Sequence, residues 1–297
     1  MARSATDDPL RPLGITRDDL APADTRSADF DWTGLGVHFV ETPGDKQFDT
    51  GYDALCNEFD AKGELETRDV LTRRLGWRPE RLTSNGYALR YEMIVVRQGD
   101  TLAAVRDHTA IVDVRRPERA CVVHLSHLLI TPAWRGSGLA GWMRALPMYT
   151  ARECLTRAAQ PPRPITLVAE MEPADPTEPG NIGRLVAYGK VGFLKVDPTR
   201  VNYLQPDFRS PDAIDTAGGP RPLPLSLVVR RVGRENETQI AGAELRALVE
   251  SLYAMYGESF RAEDMRPNWE SLNNYPPDDA RIDLVKPSSI PTRGTMG

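Results

Sequence analysis

Two glycines one residue apart, in Arg135-Gly136-Ser137-Gly138, set the strongest local constraint in this chain. They follow an apolar strand-like run, Cys121–Ile130, that breaks at Thr131-Pro132, and they precede a helical run reaching Leu155. Glycine adopts backbone conformations closed to other residues and lets another group approach without a Cβ in the way. A tight turn into a helix leaves backbone N–H groups without partners at the positive end of the helix dipole. The turn is therefore a candidate anion cradle, and phosphate is the expected anion.

Three parses of the turn compete. Gly136-x-Gly138-x-x-Gly141 has the letters of the dinucleotide fingerprint, but five residues, Thr131 to Arg135, separate it from its strand. The acidic residue expected about 20 positions on is displaced as well, since Glu170 lies well beyond that. No Lys-Ser or Lys-Thr pair follows, so a Walker loop is excluded. A strand-to-helix turn that binds nothing is the plain alternative.

The third parse is Arg135-x-x-Gly138-x-Ala140, within Ile130-Thr131-Pro132-Ala133-Trp134-Arg135-Gly136-Ser137-Gly138-Leu139-Ala140. It resembles the acyl-CoA signature of the GCN5-related N-acetyltransferase (GNAT) family, Arg/Gln-x-x-Gly-x-Gly/Ala. Downstream, NIGRLVAYGKVGF is similar to the family's next motif, with Asn181, Tyr188, Gly192 and Phe193 at the family spacing. Arg184 and Ala187 depart from it, standing where a small residue and a leucine are usual.

The resemblance covers residues 36 to about 231. It implies a GNAT fold of the α/β (α+β) class, a mixed central sheet flanked by helices. An N-terminal arm (1–35) precedes the acyltransferase domain (36–232), and a C-terminal helical extension with an irregular tail (233–297) follows it. It also implies transfer of an acetyl group from acetyl-CoA to a primary amine of a small molecule or peptide, by direct attack on the thioester and without a metal. In that picture the backbone of Arg135, Gly136, Ser137, Gly138, Leu139 and Ala140 holds the pyrophosphate, with Asn181 also on the cofactor. Leu129 and Ile130, before the turn, polarise the acyl carbonyl and pair with the pantetheine. Tyr188 stands where the family often has a general acid; the alternative is a core aromatic with its hydroxyl tied to backbone.

The acceptor amine must lose a proton, and three side chains could take it: Glu170, Glu172 and His124. Strand alternation puts His124 and Ser126 on one face and His127 on the other. Histidine titrates near neutrality; a hydrogen-bonded core histidine is the other reading of His124, and His127 is expected to be structural. Glu170 and Glu172 share a face of the apolar run 165–173, as base, as counter-ion to the amine, or as a solvated strand end. Ser126 and Glu172 are the candidate acceptor contacts. Trp142, at helical spacing, is expected in the core; Trp134 could cover the cofactor. The remaining functional alternatives are a non-catalytic acyl-CoA binder and a dinucleotide-dependent oxidoreductase.

Composition adds exclusions. A net charge of −5 and a pI near 5.5 argue against broad nucleic-acid binding and suit a cationic acceptor. No run of about 18 apolar residues suggests a membrane span. The N-terminus has no apolar segment of signal-peptide length. Cys56, Cys121 and Cys154 are widely spaced and fit reduced thiols in a cytoplasmic protein. Residues 1–30 are polar and aperiodic and read as a loosely ordered arm. The segment after Asp264 reads as irregular, and the extension could cap the acceptor cleft or make a homodimer contact.

Overall fold

The computed structural model describes residues 9–59, 65–175, 177 and 179–290. It has the expected mixed α/β class, strands flanked by helices. The chain divides into two compact units, one of residues up to Pro117 with Val123–Arg163, the other of Glu118–Val122 with the chain from Pro164 on.

The first unit carries β1 (Leu35–Val40), β2 (Tyr87–Gln98), β3 (Thr101–Asp113) and β4 (Cys121–Ile130), neighbours in that order. β1–β2 and β2–β3 are antiparallel. β2 and β3 form a hairpin that turns at Gly99, whose φ of +54° supplies the left-handed residue a short turn requires. One layer on this sheet is α1 (Lys46–Phe59) with α2 (Arg68–Arg74). Phe48 and Leu55 of α1, seven positions and so two helical turns apart, pack with Leu71 of α2 on Tyr91, Met93, Val95 and Val105.

α3 (Leu139–Arg157) is buried on more than one side, which explains why no single apolar stripe can be read along it. Thr150 meets His108 of β3, and Cys154 lies under the Ala88 and Ala110 carbonyls. Another part of its surface is covered by the N-terminal segment. Residues 1–8 of the arm lie outside the described residues; from residue 9 on it is not loose, since Leu10, Ile15, Leu20 and Trp32 are buried and three short 3-10 turns connect them. Asp19 pairs with Arg152 at 2.7 Å, Asp24 pairs with Arg144 at 2.5 Å, and the Trp142 indole donates to the Ser27 carbonyl at 2.6 Å. Polarity misled the sequence reading here, because two of the arm's acidic residues, Asp19 and Asp24, pair with arginines of α3.

The second unit contains β5 (Ile165–Met171), α4 (Pro179–Lys190), β6 (Leu194–Val196), β7 (Tyr203–Gln205), α5 (Pro211–Thr216), β8 (Leu223–Arg231), β9 (Gln239–Ala241), α6 (Gly242–Gly257), α7 (Ala262–Ser271) and β10 (Arg281–Val285). The strand order is β5-β8-β6-β10-β9, with β7 also on β8. The described part of the tail, from Asp264 to Ile290, is not irregular as expected: it completes α7 and supplies β10, which pairs antiparallel with both β6 and β9. α6 buries Leu245, Leu248, Val249 and Leu252, most of the apolar face legible in the sequence.

Candidate functional site

The glycine turn belongs to the first unit. As β4 ends, Thr131 N–H and Oγ1 both donate to the Ala103 carbonyl, at 3.0 and 3.2 Å. Pro132–Trp134 form a 3-10 turn, and Arg135 Nε reaches back to the Ile130 carbonyl at 3.1 Å. Gly136 and Gly138 then take φ of +77° and +104°, left-handed values that only glycine adopts without strain. Their lack of a Cβ is what allows so tight an entry into α3.

The N–H groups along this turn alternate in fate. Those of Arg135, Ser137, Leu139 and Gly141 are consumed internally, by the Pro132 carbonyl, the Trp134 carbonyl, Ser137 Oγ and the Gly138 carbonyl respectively. Those of Gly136, Gly138 and Ala140 meet no acceptor among the described residues. Arg135, Gly136 and Ser137 are exposed, and Gly138 and Ala140 are half-buried. Three unsatisfied donors at the start of a 19-residue helix can bind an anion.

The two glycines differ in what surrounds them. A Cβ on Gly136 would meet nothing within 4 Å. A Cβ on Gly138 would lie 2.9 Å from the Arg26 carbonyl oxygen, and one on Gly141 would lie 2.0 Å from Ser27 Oγ. The close approach that the sequence reading reserved for a ligand at Gly138 is made by the protein's own N-terminal segment; at Gly136 the space is open. Trp142 is buried as expected, while Trp134 is half-buried and edge-on to Phe30.

On β4, His124 is buried, with its Nδ1 3.2 Å from the half-buried hydroxyl of Ser126. Leu129 and Ile130 are half-buried, and Leu129 packs on the core beneath α1. His127 has a partner that sequence reading missed. Its Nδ1 and its backbone N–H both lie 2.9 Å from Asp107 Oδ1, and Tyr91 Oη donates to Asp107 Oδ2 at 3.1 Å. Asp107 is fully buried. Burial drives its pKa up, but the charge and hydrogen bonds of His127, with Tyr91, outweigh this and hold the carboxyl below its ordinary value. Burial next to that carboxylate pushes the Tyr91 phenol well up. The run Arg106-Asp107-His108 inside an apolar strand was the available signal, since charged residues are placed there only when paired.

In the second unit, Glu170 is half-buried at the end of β5 and accepts from Tyr203 Oη, from Gln205 Nε2 at 2.7 Å and from Tyr256 Oη at 2.8 Å. Burial and the neighbouring carboxylate hold Tyr203 well above its ordinary pKa. Donors around a carboxylate favour its ionised form, which suits a fixed anion better than a proton acceptor. Glu172 lies past the strand end, exposed, 3.8 Å from Arg184. Tyr188 is half-buried on α4, its ring edge-on to Phe193 at 4.9 Å. Its hydroxyl meets no hydrogen-bonding partner among the described residues, so the backbone tie considered for it is not made. Asn181 lies in the first turn of α4, with its side chain outside the described residues.

No family model and no curated protein matches the chain. Among solved structures it is similar to yncA, a putative acetyltransferase from Salmonella typhimurium solved with acetyl-CoA, at 16% identity over 67% of this chain and 94% of that one, TM-score 0.35. It is also similar to an acetyltransferase from Streptococcus agalactiae (9% identity, 67% and 98% coverage, TM-score 0.36) and to a GNAT-family acetyltransferase from Streptococcus pneumoniae (13% identity, 67% and 99% coverage, TM-score 0.36). At these TM-scores the likeness carries no weight for fold or function. Among the described residues no group of side chains could hold a metal ion, and no helix is long and apolar enough to cross a membrane.

Proposed function

We propose that the chain is an N-acetyltransferase that uses acetyl-CoA as donor and a primary amine as acceptor. The observation that carries this reading is the alternation at Arg135-x-x-Gly138-x-Ala140. Donors at 136, 138 and 140 are left over within a motif that resembles an acyl-CoA signature, beside open space at Gly136. The pyrophosphate of CoA would take those donors, and the backbone of Leu129 and Ile130 would hold the pantetheine and polarise the acyl carbonyl. Tyr188 would protonate the departing thiolate, a role that its unengaged hydroxyl supports. Glu170, fixed in place by its donors, would act as counter-ion to a cationic acceptor; Ser126 and Glu172 remain candidate acceptor contacts.

A second reading, acyl-CoA binding without turnover, draws on Glu170 itself, because a carboxylate holding three donors is a poor base. One experiment separates the readings. Thermal shift with acetyl-CoA and with NAD(P) identifies the ligand, since only a binder of the native state raises the melting temperature. Thiol release is then followed against a panel of amines, including peptide N-termini and lysines. The enzyme reading expects a shift with acetyl-CoA and thiol release that Tyr188→Phe abolishes while binding persists. A shift with NAD and none with acetyl-CoA overturns both readings in favour of a dinucleotide enzyme.

A further inference from the structure

We infer that the N-terminal segment is a clasp coupled to the glycine turn, so that its docking on α3 and the binding of acetyl-CoA favour each other. This rests on the acetyl-CoA reading above. The segment runs antiparallel to α3 and ends at the turn. Arg152 donates to the Gly14 carbonyl at 3.4 Å and pairs with Asp19 at 2.7 Å. About two turns nearer the start of the helix, Arg144 pairs with Asp24 at 2.5 Å. Trp142 then donates to the Ser27 carbonyl at 2.6 Å, and the Ser27 hydroxyl donates to the Gly138 carbonyl at 2.7 Å. Phe30 and Trp32 close the row, edge-on to Trp134 and Trp142 respectively, each at 6.2 Å.

The coupling lies in one peptide group. The Gly138 carbonyl and the Leu139 N–H belong to the same rigid plane. That plane is held at both ends. Its carbonyl accepts from Ser27 Oγ at 2.7 Å and from the Gly141 N–H at 3.1 Å, and its N–H goes to Ser137 Oγ at 3.2 Å. Two of the donors left for a ligand, the N–H groups of Gly138 and Ala140, flank it in sequence. Glycine leaves a given backbone conformation more readily than any other residue, so Gly138 needs outside support to keep its φ of +104°. With the segment lifted, Gly138 loses both the Ser27 donor and the Arg26 backbone that confines it. A diphosphate gains most from the state in which the donors are held together, and that difference in affinity is what coupling requires.

The docked state is poised rather than locked. Trp32 is 6% exposed, and its indole N–H meets no acceptor among the described residues. That donor gains a water partner when the segment lifts, which opposes docking. Asp19, Asp24 and Ser27 are therefore positioning residues, acting on the ligand only through α3 and the Gly138 carbonyl. Asp19–Arg152 is the more exposed of the two ion pairs and the farther from the turn, so its removal leaves the ligand's surroundings intact.

The test joins calorimetry with acetyl-CoA to amide hydrogen exchange, on wild type and Asp19→Asn. The amides of Asp24, Ser27 and Phe30, each bonded within the segment, report its docking. In wild type they should exchange more slowly when acetyl-CoA saturates. Asp19→Asn should speed their exchange and weaken acetyl-CoA binding by about 5-fold or more, and saturating acetyl-CoA should slow the exchange again, because coupling is reciprocal. A segment that is merely structural would lower stability and leave the affinity of the folded protein unchanged. Faster exchange in Asp19→Asn with wild-type affinity, or wild-type exchange that saturating acetyl-CoA leaves untouched, would overturn the inference while leaving acetyl-CoA binding standing. Wild type that does not bind acetyl-CoA at all would remove both. Should Asp19→Asn fail to fold, or leave the exchange as it was, the wild-type comparison alone decides.

Discussion

Ser27 donates its hydroxyl to the carbonyl of Gly138 at 2.7 Å, 111 residues away in sequence. The N-terminal segment and the glycine turn are thereby one construction. Gly138 and Gly141 are glycines because Arg26 and Ser27 lie against them, whereas Gly136 is a glycine because of its backbone angle alone.

This division predicts losses of different origin and size for three alanine variants. Gly141→Ala places a Cβ on Ser27 Oγ and should destabilise by about 1–3 kcal/mol through overpacking. Gly138→Ala adds a collision with the Arg26 carbonyl to its unfavourable φ and should cost at least as much. Gly136→Ala meets open space and should cost about 1–2 kcal/mol from backbone strain only. Urea denaturation of the three variants checks the order.

Removing the hydrogen bond itself is milder. Ser27→Ala should lower stability by about 1 kcal/mol, and it should weaken acetyl-CoA binding if the segment holds the turn in shape. Calorimetry with the folded variant separates the two effects.

His108 gives a pH dependence of stability. It is fully buried against Thr150, and burial, with Arg106 nearby, pushes its pKa well below the ordinary 6.5. The unfolded chain therefore takes up a proton that the folded chain refuses. Stability should fall as pH drops below about 6.5, by up to about 1.4 kcal/mol per pH unit from this group. His108→Gln should flatten that part of the profile, read as denaturation midpoint against pH between 7 and 5.

Glu170 should be costly to remove. Glu170→Ala leaves Tyr203, Tyr256 and Gln205 with donors and no common acceptor, an expected loss of about 3 kcal/mol. Glu170→Gln keeps the shape but loses the charge that favours those donors, and should fall between wild type and alanine. Thermal denaturation orders the three.

The local parts of this protein were legible and the long-range ones were not. The helix faces of α1 and α6, strands β2, β5 and β8 and the strand-turn-helix around Gly136 follow from periodicity and turn chemistry. The N-terminal segment was misread because Asp19 and Asp24 look like surface charge until Arg152 and Arg144 are brought to them. The tail was misread because β10 is five residues long and gains its stability from pairing with β6 and β9. His124 and Glu170 could be named as chemistry-bearing candidates, and His127 as a structural residue. Their partners Asp107, Tyr203 and Tyr256 come from other strands and helices, and only tertiary structure assigns them. That is why the three donors gathered on Glu170 could not be read from the sequence.

The central claim is that the leftover donors of the glycine turn grip a diphosphate. Amide NMR of the wild type during an acetyl-CoA titration tests it residue by residue. The N–H resonances of Gly136, Gly138 and Ala140 should move downfield and saturate together, while those of Ser137 and Leu139, already bonded within the turn, move much less. Saturating acetyl-CoA that leaves the Gly136, Gly138 and Ala140 amides in place would contradict the account.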